Sequence, residues 1–401
     1  MGGNSTVTSP RSGSCQRIPA SPGVNIDHRD VAVIGGGVIG LAVAWRLART
    51  GRSVTVVDRG RDDRRTSNAA AGILPPMAID GVDDPLDRLR GHSHAAFPRW
   101  AEEIRTSTGI DVTLRRTGGY YLADTIGELA AMASTADEWS RTGVDVERLD
   151  ADELRRRCPP LTGPALDAVR AAWWVPDEYA IDPRQYRRGL AAVLAGSGGN
   201  LIEAEVTDVR RVDDHWDLDL TTGTVTAGTV VLAGGVSIGS LSAFKSLHRS
   251  VIPVRGQILH LDAGRHAPSS VVNVGRRYVV PRVDGTVIVG SVEQEVGENW
   301  STEPDTVAGL RAFAAGLVPE LSDAPEIESW SGLRPMTFDG LPMIGPLPGH
   351  EDVWVAGGHH RSGIHLSTGT AECLAAAING DRPPMDLRPF ALTGRTLSDR
   401  G

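Results

Sequence analysis

Residues 31–58 read VAVIGGGVIGLAVAWRLARTGRSVTVVD, and the change of hydrophobic period along this stretch decides the fold class. Val31, Ala32, Val33 and Ile34 form a short, largely β-branched apolar run of the kind that fills a strand buried on both faces. The run stops at Gly35-x-Gly37-x-x-Gly40. Beyond it Leu41, Ala44, Trp45 and Ala48 recur at helical spacing until Gly51 ends the segment. Residues 53–57 read as a second strand with Asp58 at its tip, completing a strand, turn, helix and strand unit of an α/β protein.

The spacing has a physical reason. Gly35 permits the tight turn, Gly37 lets bare backbone approach a pyrophosphate, and Gly40 lets the helix pack closely on the sheet. The helix then opens with Val38 and Ile39, so its free N–H groups and positive dipole end face the phosphates. Asp58 stands near the offset at which an acid accepts the hydroxyls of an adenosine ribose. This pattern points to a dinucleotide and leaves FAD and NAD both open. The acid argues only against a 2′-phosphate, and so against NADP.

The chain has 401 residues, a length that suggests two domains with substantial cores. Its 50 acids against 41 Lys and Arg give a net charge of −9, which disfavours nucleic-acid binding. Lys245 is the only lysine and lies in a polar segment, which argues against Schiff-base chemistry. Cys15, Cys158 and Cys373 are odd in number and far apart, suggesting neither a disulfide framework nor a metal site. Residues 1–29 are polar and read as a disordered leader. No uncharged apolar run is long enough to cross a bilayer, so the expectation is a cytoplasmic protein with no membrane partner, free to form a homo-oligomer.

Further along, Thr66-Ser67-Asn68-Ala69-Ala70-Ala71-Gly72 reads as a helix start capped by Thr66 or Ser67, with side chains small enough for backbone to touch a flat ligand. GGGVIGLAVAWRLARTG followed by TSNAAAGILPP resembles the FAD-dependent D-amino acid oxidase family, and especially its glycine oxidase branch. The resemblance extends over residues 30–390 and moves the cofactor to FAD. It implies that Thr66, Ser67, Ala70, Ala71 and Gly72 run beside the flavin, with Arg59 following the ribose acid. The strand that holds adenine through its main chain would place Val206 there, and the buried run 229–237 resembles a second flavin motif through Ala233, Gly234 and Gly235. A third strand-to-glycine turn, 353–365, contributes Gly358, His360, Arg361, Ser362, Gly363 and Ile364.

The pairs Tyr120-Tyr121 and Trp173-Trp174 read as sheet packing in preference to a pocket lining. Residues 330–342 are dense in turn formers around Arg334. In the family, the arginine of the GLRP motif binds the substrate carboxylate, and GLRP stands here as residues 332–335. A guanidinium suits that task because it meets a carboxylate bidentately. Tyr278 matches a family position whose hydroxyl meets the same carboxylate. Arg334 also falls beside the flavin.

The implied fold is a Rossmann-type, glutathione-reductase-like FAD domain interleaved with a mixed-sheet α+β substrate domain. The FAD domain is expected over 30–110, 181–250 and 331–395, and the substrate domain over 111–180 and 251–330. The implied reaction passes the Cα hydride of an amino acid or amine to the flavin. An imine is left for water to hydrolyse, and O2 is reduced to H2O2. Three departures bear on the substrate. Ser362 replaces the usual Asn and Ser367-Thr368 the usual Ala-Pro, as in sarcosine oxidases. Gly332 stands where covalent sarcosine oxidases carry cysteine, implying noncovalent FAD. Arg276 and Arg277 add charge beside Tyr278. Two alternatives stay open: a dehydrogenase of hydroxy acids or amines that passes electrons to a quinone or carrier, and a non-catalytic flavin-binding subunit.

Overall fold

A computed structural model describes residues 24–60 and 65–395. It contains two eight-stranded sheets and one three-stranded sheet. In the first sheet the strand Val24–Ile34 lies between Val54–Asp58 and Gly223–Leu232, parallel to both. Asn200–Glu203 and His350–Gly357 extend the parallel set on either side. The registers align Ile202, Val57, Ile34, Leu232 and Val355 in one row across the sheet. The chain segments that follow this row therefore emerge together at the carboxyl edge, where open α/β sheets bind ligands.

Helices Val38–Ala48, Pro85–Thr108, Pro183–Gly196 and Gly363–Ile378 pack on one another over one face of this sheet. Leu41, Val43, Phe97, Trp100, Tyr186 and Leu374 join in the resulting core, with Trp45 and Trp100 edge to face at 4.7 Å. Val31, Val33, Val54 and Val56 are fully buried there, each contributing about 1.5–3 kcal/mol by the area rule.

The second sheet runs Glu326–Met336, Ile252–Asp262, Thr286–Gly290, Arg277–Pro281, Val271–Val274, Gly119–Ala123, Ala171–Val175 and Glu147–Leu149. Strand alternation sorts its faces. Val279, Val287 and Val289 pack under the helix Pro304–Leu317, while Tyr278, Val280 and Ile288 join Ala71 on the opposite face. That second face looks toward the first sheet's carboxyl edge through the segment 70–72.

Several expectations change. Val24–Ile34 begins before Val31, so residues 24–29 of the expected leader are strand, paired through Val24↔Gly223 and Arg29↔Ala227. The remaining leader residues, 1–23, lie outside the described residues, as do 61–64 of the loop after Asp58. The strand expected to carry Val206 is two strands, Asn200–Glu203 and Val206–Val212, broken at Ala204 and Glu205 because the second turns away to pair with His215–Leu220. Arg334 sits on a strand and not in a turn. Its strand is the sheet edge, with Ile252–Asp262 as its neighbour in the sheet, so the missing N–H of Pro335 is tolerated there. The boundary expected at residue 331 falls inside this same strand.

Candidate active site

Between the two sheets lies a cavity of about 840 Å³ lined by residues from all three glycine turns. Gly35, Gly37, Val38, Ile39, Asp58, Arg59, Thr66, Ser67, Ala70, Ala71, Gly72, Val206, Ala233, Gly234, Gly235, Tyr278, Arg334, Gly358, His360, Arg361, Ser362, Gly363 and Ile364 all line it. Gly40 stands behind the wall. A Cβ there would come within 1.9 Å of the Gly35 carbonyl oxygen, so the helix approaches the turn only because residue 40 has no side chain.

The nucleotide end is built around Asp58. Its Oδ2 accepts from the Gly36 N–H at 2.6 Å, and its Oδ1 accepts from the Gly60 N–H at 2.9 Å and from Arg65. Burial opposes its charge, but Arg65 and the two N–H donors hold its pKa below the usual carboxylate value. Arg59 reaches across to the hydroxyl of Ser237 at 2.9 Å, joining the loop after Asp58 to the second glycine turn. Thr66 and Ser67 are not N-caps. They lie inside a single 3₁₀ turn, Thr66–Ala69, preceded by Arg65. Their hydroxyls work at longer range: Ser67 accepts from the Val38 N–H at 3.1 Å, and Thr66 donates to the Leu333 carbonyl. Ala70 is extended, and the 71–72 backbone is pinned by Arg282 on the Ala71 carbonyl at 3.0 Å and by Ile181 on the Gly72 carbonyl at 2.9 Å.

At the other end Arg334 donates to the Val292 carbonyl at 2.9 Å and to the Ser291 hydroxyl at 2.5 Å. No carboxylate of the described residues forms a salt bridge with it. Burial lowers its pKa, and Tyr278, then Glu293, oppose that shift. Two glycines make room for this pair. A Cβ on Gly256 would lie 2.4 Å from Nη2 of Arg334, and one on Gly290 would lie 2.6 Å from the Tyr278 ring. Arg361 donates to Glu293 at 3.2 Å and to the Arg276 carbonyl at 3.3 Å. Burial raises the pKa of Glu293, but Arg361, Arg276 and Arg334 together bring it below the usual carboxylate value.

The last glycine turn ends in a helix that starts at Gly363, so the N–H groups of its first turn face the cavity. His359 bonds Thr370 at 3.1 Å, and complete burial pushes its pKa down to about 3. His360, on the cavity wall, keeps a buried Nε2 with no hydrogen-bond partner among the described residues. Tyr121 also lines the cavity, whereas Tyr120, Trp173 and Trp174 pack in or over the sheet. The Tyr121 hydroxyl donates to Glu178, a fully buried acid that also accepts from Asn273 at 3.3 Å. Sequence reasoning missed Arg65, which adjoins the 66–72 motif, and Arg282, Glu178 and Glu293, which no motif marks. Gly256 and Gly290, glycines inside apolar strands, were the one available sign of a close approach there.

A parallel sheet with glycine turns, a strand-tip acid and two helix N-termini at one cavity defines a dinucleotide-dependent enzyme with a second sheet over the cofactor. The residues present fit such a group: a paired acid for a ribose, helix N-termini for anionic oxygens, and an unpartnered imidazole nitrogen on the wall. A family model described as FAD dependent oxidoreductase (DAO) matches residues 30–377. The glycine oxidase of Geobacillus kaustophilus is 34% identical over 369 residues, covering 91% of this chain and 97% of that protein. The glycine oxidase of Pseudomonas putida is 32% identical, covering 92% and 99%. The crystal structure of the Geobacillus kaustophilus glycine oxidase superposes with a TM-score of 0.85 at 33% identity, covering 92% of this chain and 99% of that one. The chain belongs to the DAO family. It is an FAD-dependent oxidoreductase, and FAD is its cofactor. Among the described residues no helix is long and apolar enough to cross a membrane.

Proposed function

We propose that the protein oxidises the C–N bond of a small amino acid or amine of the glycine, N-alkyl glycine or D-amino acid type, with O2 as the electron acceptor. The observation that carries this reading is Arg334: a half-buried guanidinium on the cavity wall whose hydrogen-bond partners among the described residues are neutral. Such a group retains a full charge for an incoming carboxylate, and its planar donors fix the orientation of what they bind. Tyr278, on the same sheet face, is placed to add its hydroxyl to that carboxylate. Bound FAD supplies the two-electron acceptor for the Cα–H bond.

The protein's part is to hold the carboxylate, exclude water and keep the amine uncharged. Nearby side chains favour the last of these. Burial, Arg334 and Arg361 lower the pKa of His360, leaving a neutral imidazole and cationic guanidiniums around the substrate, which disfavour an ammonium. The imine product hydrolyses in water, and O2 leaves as H2O2. Glycine oxidases among the relatives support this substrate class.

FAD is held without a covalent bond in this reading. A Cβ at Gly332 would meet Ala69 Cβ at 2.4 Å, leaving no room for a linking side chain. The described cysteines, Cys158 and Cys373, are buried away from the cavity. Those buried thiols also suit a cytoplasmic location. The first sheet serves as the cofactor unit and the second as the substrate unit.

A peroxide-coupled screen of amines and amino acids tests the function, with anaerobic bleaching of the flavin as a second readout. Bleaching by a small amino acid and peroxide release in air are expected. Bleaching by hydroxy acids alone, or slow reaction with O2 and fast reaction with a quinone, would contradict it.

A further inference from the structure

The cavity carries more positive charge than one carboxylate would consume. Strands Val271–Val274 and Arg277–Pro281 pair through Val274↔Arg277, leaving Gly275 (φ 56°) and Arg276 as a two-residue tip. This tip sets Arg276 on the cavity wall with its side chain 76% exposed. Arg276 donates to one oxygen of Glu293 and Arg361 to the other. One carboxylate thus bonds two guanidiniums, and among the described residues no acid forms a salt bridge with Arg334. Three arginines and Glu293 leave two positive charges.

Two further charged residues border the tip. Arg277 points to the far face of the sheet, over the Phe313 ring at 4.4 Å and 3.9 Å from Asp124. Glu128, of the helix Ile126–Thr142, stands against Gly275 on the cavity wall and accepts from the Asp124 N–H at 3.3 Å, without a salt bridge to the three guanidiniums among the described residues.

We propose that the substrate carries a second carboxylate, which sits between Arg276 and Arg361 while the first rests on Arg334. This deepens the functional reading above and depends on its placing of the first carboxylate. The preferred substrates are then amines flanked by two carboxylates, such as an N-carboxyalkyl glycine or an acidic D-amino acid. A second carboxylate completes the neutralisation of the three guanidiniums, and charge-assisted bonds to guanidinium orient what they bind. Glu293 is a positioning residue here, holding the two arginines apart at the mouth.

The test uses unreactive acids on the FAD-loaded protein, reading Kd from the perturbation of the flavin absorbance. Malonate, succinate and glutarate are compared with propionate, butyrate and valerate. At least one dicarboxylate is expected to bind tenfold or more tightly than the monocarboxylate of equal carbon number. Arg276→Gln should reduce that ratio below threefold, and Arg276→Lys should keep most of it. The tip is exposed, so neither variant disturbs the core. A wild-type ratio near one for every pair, or a ratio unchanged in Arg276→Gln, would overturn the second seat. Turnover is judged apart from binding. A preference for dicarboxylates with no amine able to bleach the flavin supports the seat and sinks only the amine-oxidase reading.

Discussion

The backbone N–H of Gly36 and the Oδ2 of Asp58 meet at 2.6 Å, although 22 residues separate them in the chain. The contact locks the glycine turn to the tip of the neighbouring strand, and Arg65 holds the charge that makes it strong. Asp58→Ala removes that lock along with the acid proposed to meet a ribose. FAD affinity should fall roughly 10- to 100-fold, the equivalent of about 1.5–3 kcal/mol for hydrogen bonds to a charged group. Fluorescence titration of the apoprotein checks this, with Asp58→Asn expected to lose less. An unchanged Kd would remove Asp58 from the cofactor site.

Arg334→Ala should lower kcat/KM for a carboxylate substrate by about 2–4 kcal/mol, or roughly 30- to 1000-fold. The loss should appear mainly in KM. Arg334→Lys should recover only part of it, since an ammonium cannot supply the planar pair of donors. Steady-state kinetics with the best amine of the screen, beside a binding titration with acetate, gives both numbers. Acetate binding equal to wild type would refute the carboxylate assignment.

Glu178 makes stability depend on pH. Burial pushes its pKa up to about 7, against hydrogen bonds from Tyr121 and Asn273 that pull it down. The unfolded chain titrates the same carboxyl near 4.5. A raised folded pKa favours the protonated native state, so this contribution is fully present below about pH 4.5 and is lost as the pH rises through about 7. The shift is worth about 3 kcal/mol. Glu178→Gln should therefore flatten the fall in Tm between pH 5 and pH 8 relative to wild type. Parallel Tm profiles for the two proteins would show that Glu178 is not the titrating group.

Gly40→Ala puts a methyl group where the Gly35 carbonyl oxygen lies. The helix must move off the sheet, at about 1–3 kcal/mol of stability, the usual range for overpacking. The same movement withdraws the helix N-terminus from the cavity, so weaker FAD binding should accompany the lower Tm. A variant with wild-type Tm and FAD affinity would show that close helix packing is not what residue 40 secures.

Period and glycine placement made the nucleotide half legible in advance. The runs at 31–34, 53–57, 229–232 and 353–357 are short, apolar and ended by glycine or acid, and each lies in the parallel sheet. Their meeting at one edge follows from strand polarity and register, which local pattern largely dictates. The substrate half was less legible. Turn-forming residues around Arg334 suggested a loop, yet pairing with residues 252–262 made a strand of them, an outcome that depends on a segment some 75 positions earlier.

By itself the amino-acid sequence determined the α/β class, the glycine turns and the acid at the strand tip, because hydrophobic period and glycine's lack of a side chain act over a few neighbouring residues. Only the tertiary structure decided that Arg334 has neutral partners, that Glu293 is shared by Arg276 and Arg361, and that Glu178 is sealed under Tyr121. Each of these is a matter of which charges meet in a buried place. Such energies depend on distance and desolvation between segments 17 to 68 residues apart, which no local pattern in the chain encodes.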